Sequence, residues 1–240
     1  MPALRPVDAL LASYPRARPP LSEAMQKQYL ATYTASREGK GLFYAITQYL
    51  ESWMHRKISA LQNGGNVLEI GAGTLNHLQY EKHHSSYDII EPFTELYSGK
   101  PELQGIRNIY RDISDIPEGT HYGRIISVAT LEHLTELPDA LAASCKLLSK
   151  DGVFQAGIPS EGGFLWGATW RASVGLNFRI KTGLDYGELM RHEHVNRADE
   201  IIQLVRHFFH EVRISRFPLP HGHLSLYAYI EARKPKLSAS

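Results

Sequence analysis

Two glycines and a set of acids define the first chemical expectation. The segment VLEIGAGTLNHL places Gly71 and Gly73 directly after an apolar run that ends at Ile70, where the chain has to turn sharply into a helix. Glycines at such a point adopt conformations that a side chain forbids and let the backbone approach a ligand. Twenty residues beyond Gly71, at the end of the next apolar run, stands Glu91. A carboxylate in that place accepts hydrogen bonds from both hydroxyls of a ribose. A dinucleotide site uses the same geography with a third glycine, G-x-G-x-x-G, to seat a pyrophosphate on a helix end. Here the third place is Asn76. Glu69, inside the run and two residues before Gly71, is a poor neighbour for a diphosphate and a good one for a cation. The set reads as a nucleoside site with a positive charge at one end.

Two further signals follow at the ends of later runs: Asp112 after the third, and TLEHL, Thr130 to Leu134, after the fourth. The whole pattern, with E-x-G-x-G after the first run and an acid ending the second, resembles the class I methyltransferases that use S-adenosylmethionine (SAM). The LEH triplet and the Pro138-Asp139 pair after it resemble the type 11 methyltransferase domain, in particular its ubiquinone-biosynthesis-like members. The resemblance spans about residues 65–159. It implies SAM as cofactor, with Gly71 and Gly73 at the methionine end and Glu69 near the cationic group, directly or through water. It puts Glu91 at the ribose, Asp112 and Ile113 at the adenine, and Ala129, Thr130 and Leu131 beside the sulfonium. The chain departs from the pattern at Leu75 and Asn76, where no glycine stands, and at His77. Two other readings stay open, an NAD(P)-dependent oxidoreductase and a SAM-binding module without turnover.

Methyl transfer from a sulfonium is an in-line displacement, so the protein has to align the acceptor and, for a hydroxyl, remove its proton. His133 follows the fourth run, at the strand end where parallel sheets hold their ligands, and an imidazole is a suitable base near neutral pH. Its structural alternative is a histidine bonded to a backbone carbonyl at a helix start. Glu132 beside it could orient a histidine. Some ubiquinone-pathway relatives hold a divalent metal with carboxylates near this position, but no third ligand is apparent, and no metal is expected. His192, Glu193 and His194 have zinc-ligand chemistry without the spacing of a helical zinc motif, and read as a solvated approach to the last helix. Tyr29, Tyr33, Trp166, Trp170 and Tyr186 are candidate lining for an acceptor. The stretches YTASREGKGLFYAI and LDYGELMRHEHVN resemble bacterial methyltransferases of surface glycans or secondary metabolites, which favours a sugar-containing acceptor.

The elements that must position these groups alternate in type. Short apolar runs at 66–70, 87–90, 106–110, 124–129 and 153–158 are separated by helical or turn-rich stretches, the pattern of a parallel sheet with helices on both faces. A helix runs from Leu42, its apolar face including Tyr49, Leu50, Trp53, Met54, Ile58 and Leu61. Another starts around Pro138 and closes at Lys150, Asp151 and Gly152. The last opens with an N-x-x-D start at Asn196 and Asp199 and carries Ile201, Ile202, Leu204 and Val205. Two more runs, 211–217 and 224–232, read as an antiparallel pair ending a seven-stranded Rossmann-like α/β sheet. Residues 1–62 form an N-terminal arm and helical cap, with order beginning near Ser22. Residues 63–240 form the methyltransferase domain, with an aperiodic insertion at 160–195 rich in glycine and aromatics.

Composition bounds the partners. With 26 basic and 25 acidic residues among 240, the net charge of +1 leaves no surplus for a nucleic-acid backbone or an anionic membrane. The expected partners are a small-molecule acceptor and, for a homodimer, a second copy of the chain. One cysteine, Cys145, forms no internal disulfide, and no stretch approaches the roughly 20 apolar residues of a membrane span, so the expected compartment is the cytoplasm.

Overall fold

The computed structural model describes residues 6–28, 42–62 and 64–236. Among them seven strands form one sheet: β1 (Asn66–Ile70), β2 (Ser86–Ile90), β3 (Asn108–Tyr110), β4 (Tyr122–Val128), β5 (Leu148–Pro159), β6 (Phe209–Pro218) and β7 (Ser225–Pro235). Their order is β3-β2-β1-β4-β5-β7-β6. The first five strands run parallel, and β7 is antiparallel to both β5 and β6. The expected Rossmann-like sheet is therefore present, closing antiparallel pair included. Because β1 lies between β2 and β4, successive crossovers leave in opposite directions there, which opens a crevice at the carboxyl ends of the strands.

The helices are α1 (Val7–Leu11), α2 (Leu42–Ser59), α3 (Leu137–Leu147), α4 (Phe164–Trp170), α5 (Leu176–Thr182), α6 (Tyr186–Glu193) and α7 (Ala198–Phe208), and residues 23–28 are also helical. On one face of the sheet Leu141 and Cys145 of α3 and Ile201, Leu204 and Val205 of α7 pack with Leu68, Ile125, Phe154 and Ile230. Each fully buried aliphatic side chain of α7 contributes about 1.5–3 kcal/mol relative to exposure. On the other face Ile58 of α2 meets Val67, Tyr87, Ile89 and Ile126. A Cβ on Gly157 would lie 2.7 Å from Met54 Cβ, so the missing side chain is what lets α2 settle on β5. Tyr49, expected on the buried face of this helix, is 68% exposed.

Four local expectations change. The crossovers β1–β2, β2–β3 and β3–β4 contain 3₁₀ turns, at Leu78–Tyr80, Thr94–Leu96, Pro101–Gly105 and Ile113–Asp115, so the helix expected after the glycine loop gives way to a turn and the other two crossovers take the turn-rich form. In the first of these, Leu75 takes a left-handed φ of +63° while its side chain is buried, which ends any helix leaving the glycine loop. Second, α3 gives way to β5 at Leu148, so Lys150, Asp151 and Gly152 belong to the strand. Third, order does not wait for Ser22. Leu10 of α1 is buried in the main core, and Arg16 binds the Val195 carbonyl and, at 2.8 Å, Glu200. Fourth, Asn196 is no helix cap. Its buried amide donates to the Leu131 and Leu134 carbonyls at 2.8 and 2.7 Å and accepts from the Tyr14 hydroxyl at 2.6 Å. Glu200 takes the capping role, accepting from the Arg197 N–H at 3.1 Å.

Candidate active site

Strand register alone gathers the predicted residues. Ile70 pairs with Ile90 and with Ser127, and Ile90 with Tyr110, so the residues that follow these strands emerge along one edge. The ladder runs one step further: Gly71 N–H donates to Ile90 O, Glu91 N–H to Tyr110 O, and Ala129 N–H to Gly157 O, at 2.9, 2.9 and 2.8 Å. At that edge lies an open cavity of about 700 Å³. Glu69, Gly71, Gly73, Glu91, Asp112, Ile113, Ala129, Thr130 and His133 all line it. Leu131 does not: it is 1% exposed and packs in the main core, because the turn after β4 directs it back under the sheet.

The two glycines serve different purposes. Both have left-handed φ, +72° and +51°. A Cβ on Gly71 would lie 2.2 Å from Thr130 Cγ2, so this glycine is demanded by the neighbouring strand's exit loop. A Cβ on Gly73 would meet nothing within 4 Å, so this glycine keeps open space beside the cavity. Gly73 N–H donates to Glu91 Oε2 at 2.8 Å and Phe93 N–H to Glu91 Oε1 at 3.0 Å. These bonds hold an almost fully buried carboxylate in place and leave lone pairs for the cavity. Glu69 is buried too, accepting from the Tyr87 hydroxyl at 2.7 Å, and burial pushes its pKa up to about 7. Asp112 is exposed and caps its 3₁₀ turn, with Oδ1 accepting from Ser114 N–H and Oγ–H, which holds its pKa down.

A second cavity, of about 320 Å³, adjoins the first, and Glu51, Met54, Ala129 and His133 line both. Its outer wall comes from the segment after β5: Trp166, Thr169, Trp170, Val174, Tyr186 and Met190. The insertion that reads as aperiodic is thus built of α4, a π-turn at Arg171–Gly175, α5 and α6. Three of its expected aromatics, Trp166, Trp170 and Tyr186, line this cavity, whereas Tyr29 and Tyr33 lie outside the described residues.

His133 stands where the cavities meet. Its Nδ1 is 2.9 Å from the carbonyl of Glu193, which fixes Nδ1 as the protonated nitrogen and leaves Nε2 able to accept a proton. The carbonyl-bonded and the base readings are therefore compatible. His192, by contrast, turns outward to the Pro19 carbonyl at 2.7 Å, while His194 turns inward. The His194 ring meets the His133 ring edge-on at 4.8 Å, and its Nδ1 lies 3.1 Å from Glu161 Oε2. Burial opposes a charge on His194, but the bond to Glu161 and the nearby Glu132 and Glu193 raise its pKa. Glu132 is 1% exposed, its pKa is raised by burial, and its Oε2 has no hydrogen-bond partner. One ligand atom from each of Glu132, His133 and His194 falls within 4.8 Å of the others. The expectation of no metal rested on the lack of a third ligand, and the fold supplies one: with both Nδ1 atoms anchored by acceptors, the Nε2 lone pairs and an unsatisfied carboxylate suit a divalent cation.

The sequence reading missed Glu51 and His55, which line the first cavity from α2. With Met54 they share one face at helical spacing, a signal hidden because only the apolar stripe was followed. No helix among the described residues is long and apolar enough to cross a membrane.

No protein-family model matches the sequence, and no curated protein matches it. Solved structures do match in fold. A SAM-dependent methyltransferase from Thermotoga maritima, described as a possible histamine N-methyltransferase, superposes with a TM-score of 0.60 at 15% identity, over 86% of this chain and 97% of that one. The plantazolicin methyltransferase BpumL, bound to S-adenosylhomocysteine (SAH) and a monoazolic desmethyl-plantazolicin analogue, gives 0.59 at 14% identity, over 95% and 98%. The N-methyltransferase NodS of Bradyrhizobium japonicum WM9, bound to SAH, gives 0.53 at 16% identity, over 79% and 87%. At these identities the likeness establishes the class I methyltransferase fold. It does not extend to the type 11 or ubiquinone-like subgroup.

Proposed function

We propose that this protein is an enzyme that transfers the methyl group of SAM to an oxygen, less readily a nitrogen, of a small molecule. The observation that carries the reading is the meeting of two cavities at Ala129 and His133, one at the strand ends and one under the insertion. SAM belongs in the first: ribose on Glu91, adenine toward Asp112 and Ile113, methionine end near Gly71, Gly73 and Glu69, sulfonium near Ala129 and Thr130. The SAH-bound fold neighbours support that cofactor. The acceptor belongs in the second, where Trp166, Trp170 and Tyr186 offer flat faces to a ring, whether aromatic or sugar. His133 Nε2 then takes the acceptor's proton as the methyl group moves in line from sulfur to oxygen. Residues 1–62 act as arm and cap, and the insertion at 160–195 of the domain at 63–240 acts as the cover that excludes water.

Calorimetric titration with SAM, SAH and NAD tests this reading, with binding of the first two alone expected. Preference for NAD would establish an oxidoreductase. SAM binding with no turnover across a panel of hydroxyl and amine acceptors would establish a binding module.

The unpartnered Oε2 of Glu132 favours a second reading of the same site. Glu132, His133 and His194 would hold a divalent cation, which would lower the pKa of an acceptor hydroxyl and stabilise the alkoxide. Stoichiometric metal in the purified protein, with turnover lost on chelation while SAH still binds, is the expected outcome. Full turnover in metal-free protein would leave His133 as the base.

A further inference from the structure

A buried chain of hydrogen bonds ends in the cofactor cavity and takes no part in the assignments above. His77, which breaks the expected pattern of the glycine loop, is 1% exposed, and its Nε2 lies 3.0 Å from Glu81 Oε1. Glu81 is gripped by the fully buried Arg124, whose Nη1 and Nη2 donate to Oε2 and Oε1 at 2.6 and 3.0 Å. On its other side His77 Nδ1 lies 2.9 Å from Nδ1 of His55 on α2. The His55 ring stacks on Tyr80, centroids 5.0 Å apart, and His55, His77 and Glu69 line the same cavity.

The proton positions follow from this order. A carboxylate bound by an always-charged guanidinium accepts only, so His77 Nε2 carries a hydrogen. Between the two Nδ1 atoms there is room for one hydrogen. Were it on His77, that ring would be a second buried cation beside Arg124, sharing Glu81 with it, and the other carboxylate in reach, Glu69, is itself pushed by burial to a pKa of about 7 and compensates it only in part. The hydrogen therefore sits on His55 Nδ1, and His55 Nε2 is left with its lone pair. Burial also disfavours a charged His55 and draws its pKa down to about 4, so Nε2 stays an acceptor at neutral pH.

We propose that His55 Nε2 accepts a hydrogen bond from the α-ammonium of SAM, so that His55 and Glu69 together form an ammonium subsite; this rests on the SAM reading above. Glu81 and Arg124 act as positioning residues, because their fixed polarity sets both histidine tautomers. The subsite discriminates: a neutral acceptor beside an acid welcomes the ammonium and offers nothing to the carboxylate of the methionine end.

Calorimetry with three ligands tests the subsite: SAH, its decarboxylated form, which keeps the amine, and 5′-methylthioadenosine, which lacks both groups. His55→Phe keeps the ring stack on Tyr80 and removes the acceptor. It is expected to weaken SAH and the decarboxylated amine by about tenfold or more, the worth of a hydrogen bond to a charged group, and to leave methylthioadenosine unchanged. In the unliganded wild type, nitrogen-15 shifts should show His55 Nδ1 protonated and Nε2 not. Equal weakening of all three ligands would reduce His55 to a structural role. A loss for SAH without one for the amine, or a protonated Nε2, would mean that His55 donates to the carboxylate, and the proposal would be wrong. If the wild type bound none of the three, the SAM reading itself would fail, an outcome distinct from any result with His55→Phe.

Discussion

The two walls of the cleft are built on different principles. The wall proposed for the cofactor is made of residues within three places of the carboxyl ends of parallel strands, and the strand register that aligns Ile70, Ile90 and Ser127 places Gly71, Glu91 and Ala129 as a consequence. The wall proposed for the acceptor is made mainly of helices inserted after β5, with contacts distant in sequence around it: Asn196 on the Leu131 and Leu134 carbonyls, Arg18 on the His133 carbonyl at 3.1 Å, His194 on Glu161. The first wall is thus fixed by local strand register, and the second by packing between segments far apart in the chain.

That contrast can be broken first at His133, where the walls meet. His133→Gln is expected to lower turnover by about 10²- to 10⁴-fold with SAH affinity nearly unchanged. Unaltered turnover would return His133 to a purely structural place. The next largest effect separates the two glycines within the cofactor wall. Gly71→Ala forces a Cβ against Thr130 in a left-handed backbone and should cost about 2–4 kcal/mol of stability by chemical denaturation. Gly73→Ala should cost about 1 kcal/mol and act mainly on SAM affinity. Equal destabilisation by both would contradict the division of labour.

Glu91→Ala should then weaken SAM by roughly ten- to a hundredfold, from the loss of about 1.5–3 kcal/mol of charge-assisted bonding. Undiminished affinity in a folded variant would remove the ribose assignment. Glu69 sharpens the same wall through pH. Its pKa is raised from 4.5 to about 7 by burial, so in the free protein it is protonated below that pH, and a cationic ligand has to drive the proton off. SAM affinity should rise with pH up to about 7 and level off above it, by at most about tenfold per pH unit. Glu69→Gln should flatten the profile, and an unchanged slope would show that Glu69 does not meet the ligand's charge. The smallest effect belongs to the acceptor wall: amide exchange across α4, α5 and α6 should slow only when SAH and acceptor are both bound, and equal protection in every state would make the insertion a fixed ornament.

The legibility of the two walls in sequence follows the same division. Apolar runs followed by glycine or an acid identify the strands and what stands at their ends, because register is local and side-chain period is short. Hence eight of the nine cofactor residues named from sequence, Glu69, Gly71, Gly73, Glu91, Asp112, Ile113, Ala129 and Thr130, line the cavity. Leu131 failed because the direction of a turn residue depends on how β4 exits, which no period encodes. The Asn196 start was misread for a related reason: a polar residue before a helix looks like a cap, and only the packed chain shows it satisfying carbonyls 62 and 65 residues away.

What the amino-acid sequence determined by itself was the alternating α/β order, the closing antiparallel pair, the glycine loop and the acids at the strand ends, all of them consequences of hydrophobic period and backbone permission. Tertiary structure alone decided that His194 turns inward and His192 outward, that Glu132 is left with an unpartnered oxygen, and that His77 reaches His55 across from α2. The physical reason is the same in each case. A polar side chain acquires its role from the partners that burial denies or grants it, and those partners are set by packing between segments far apart in the chain.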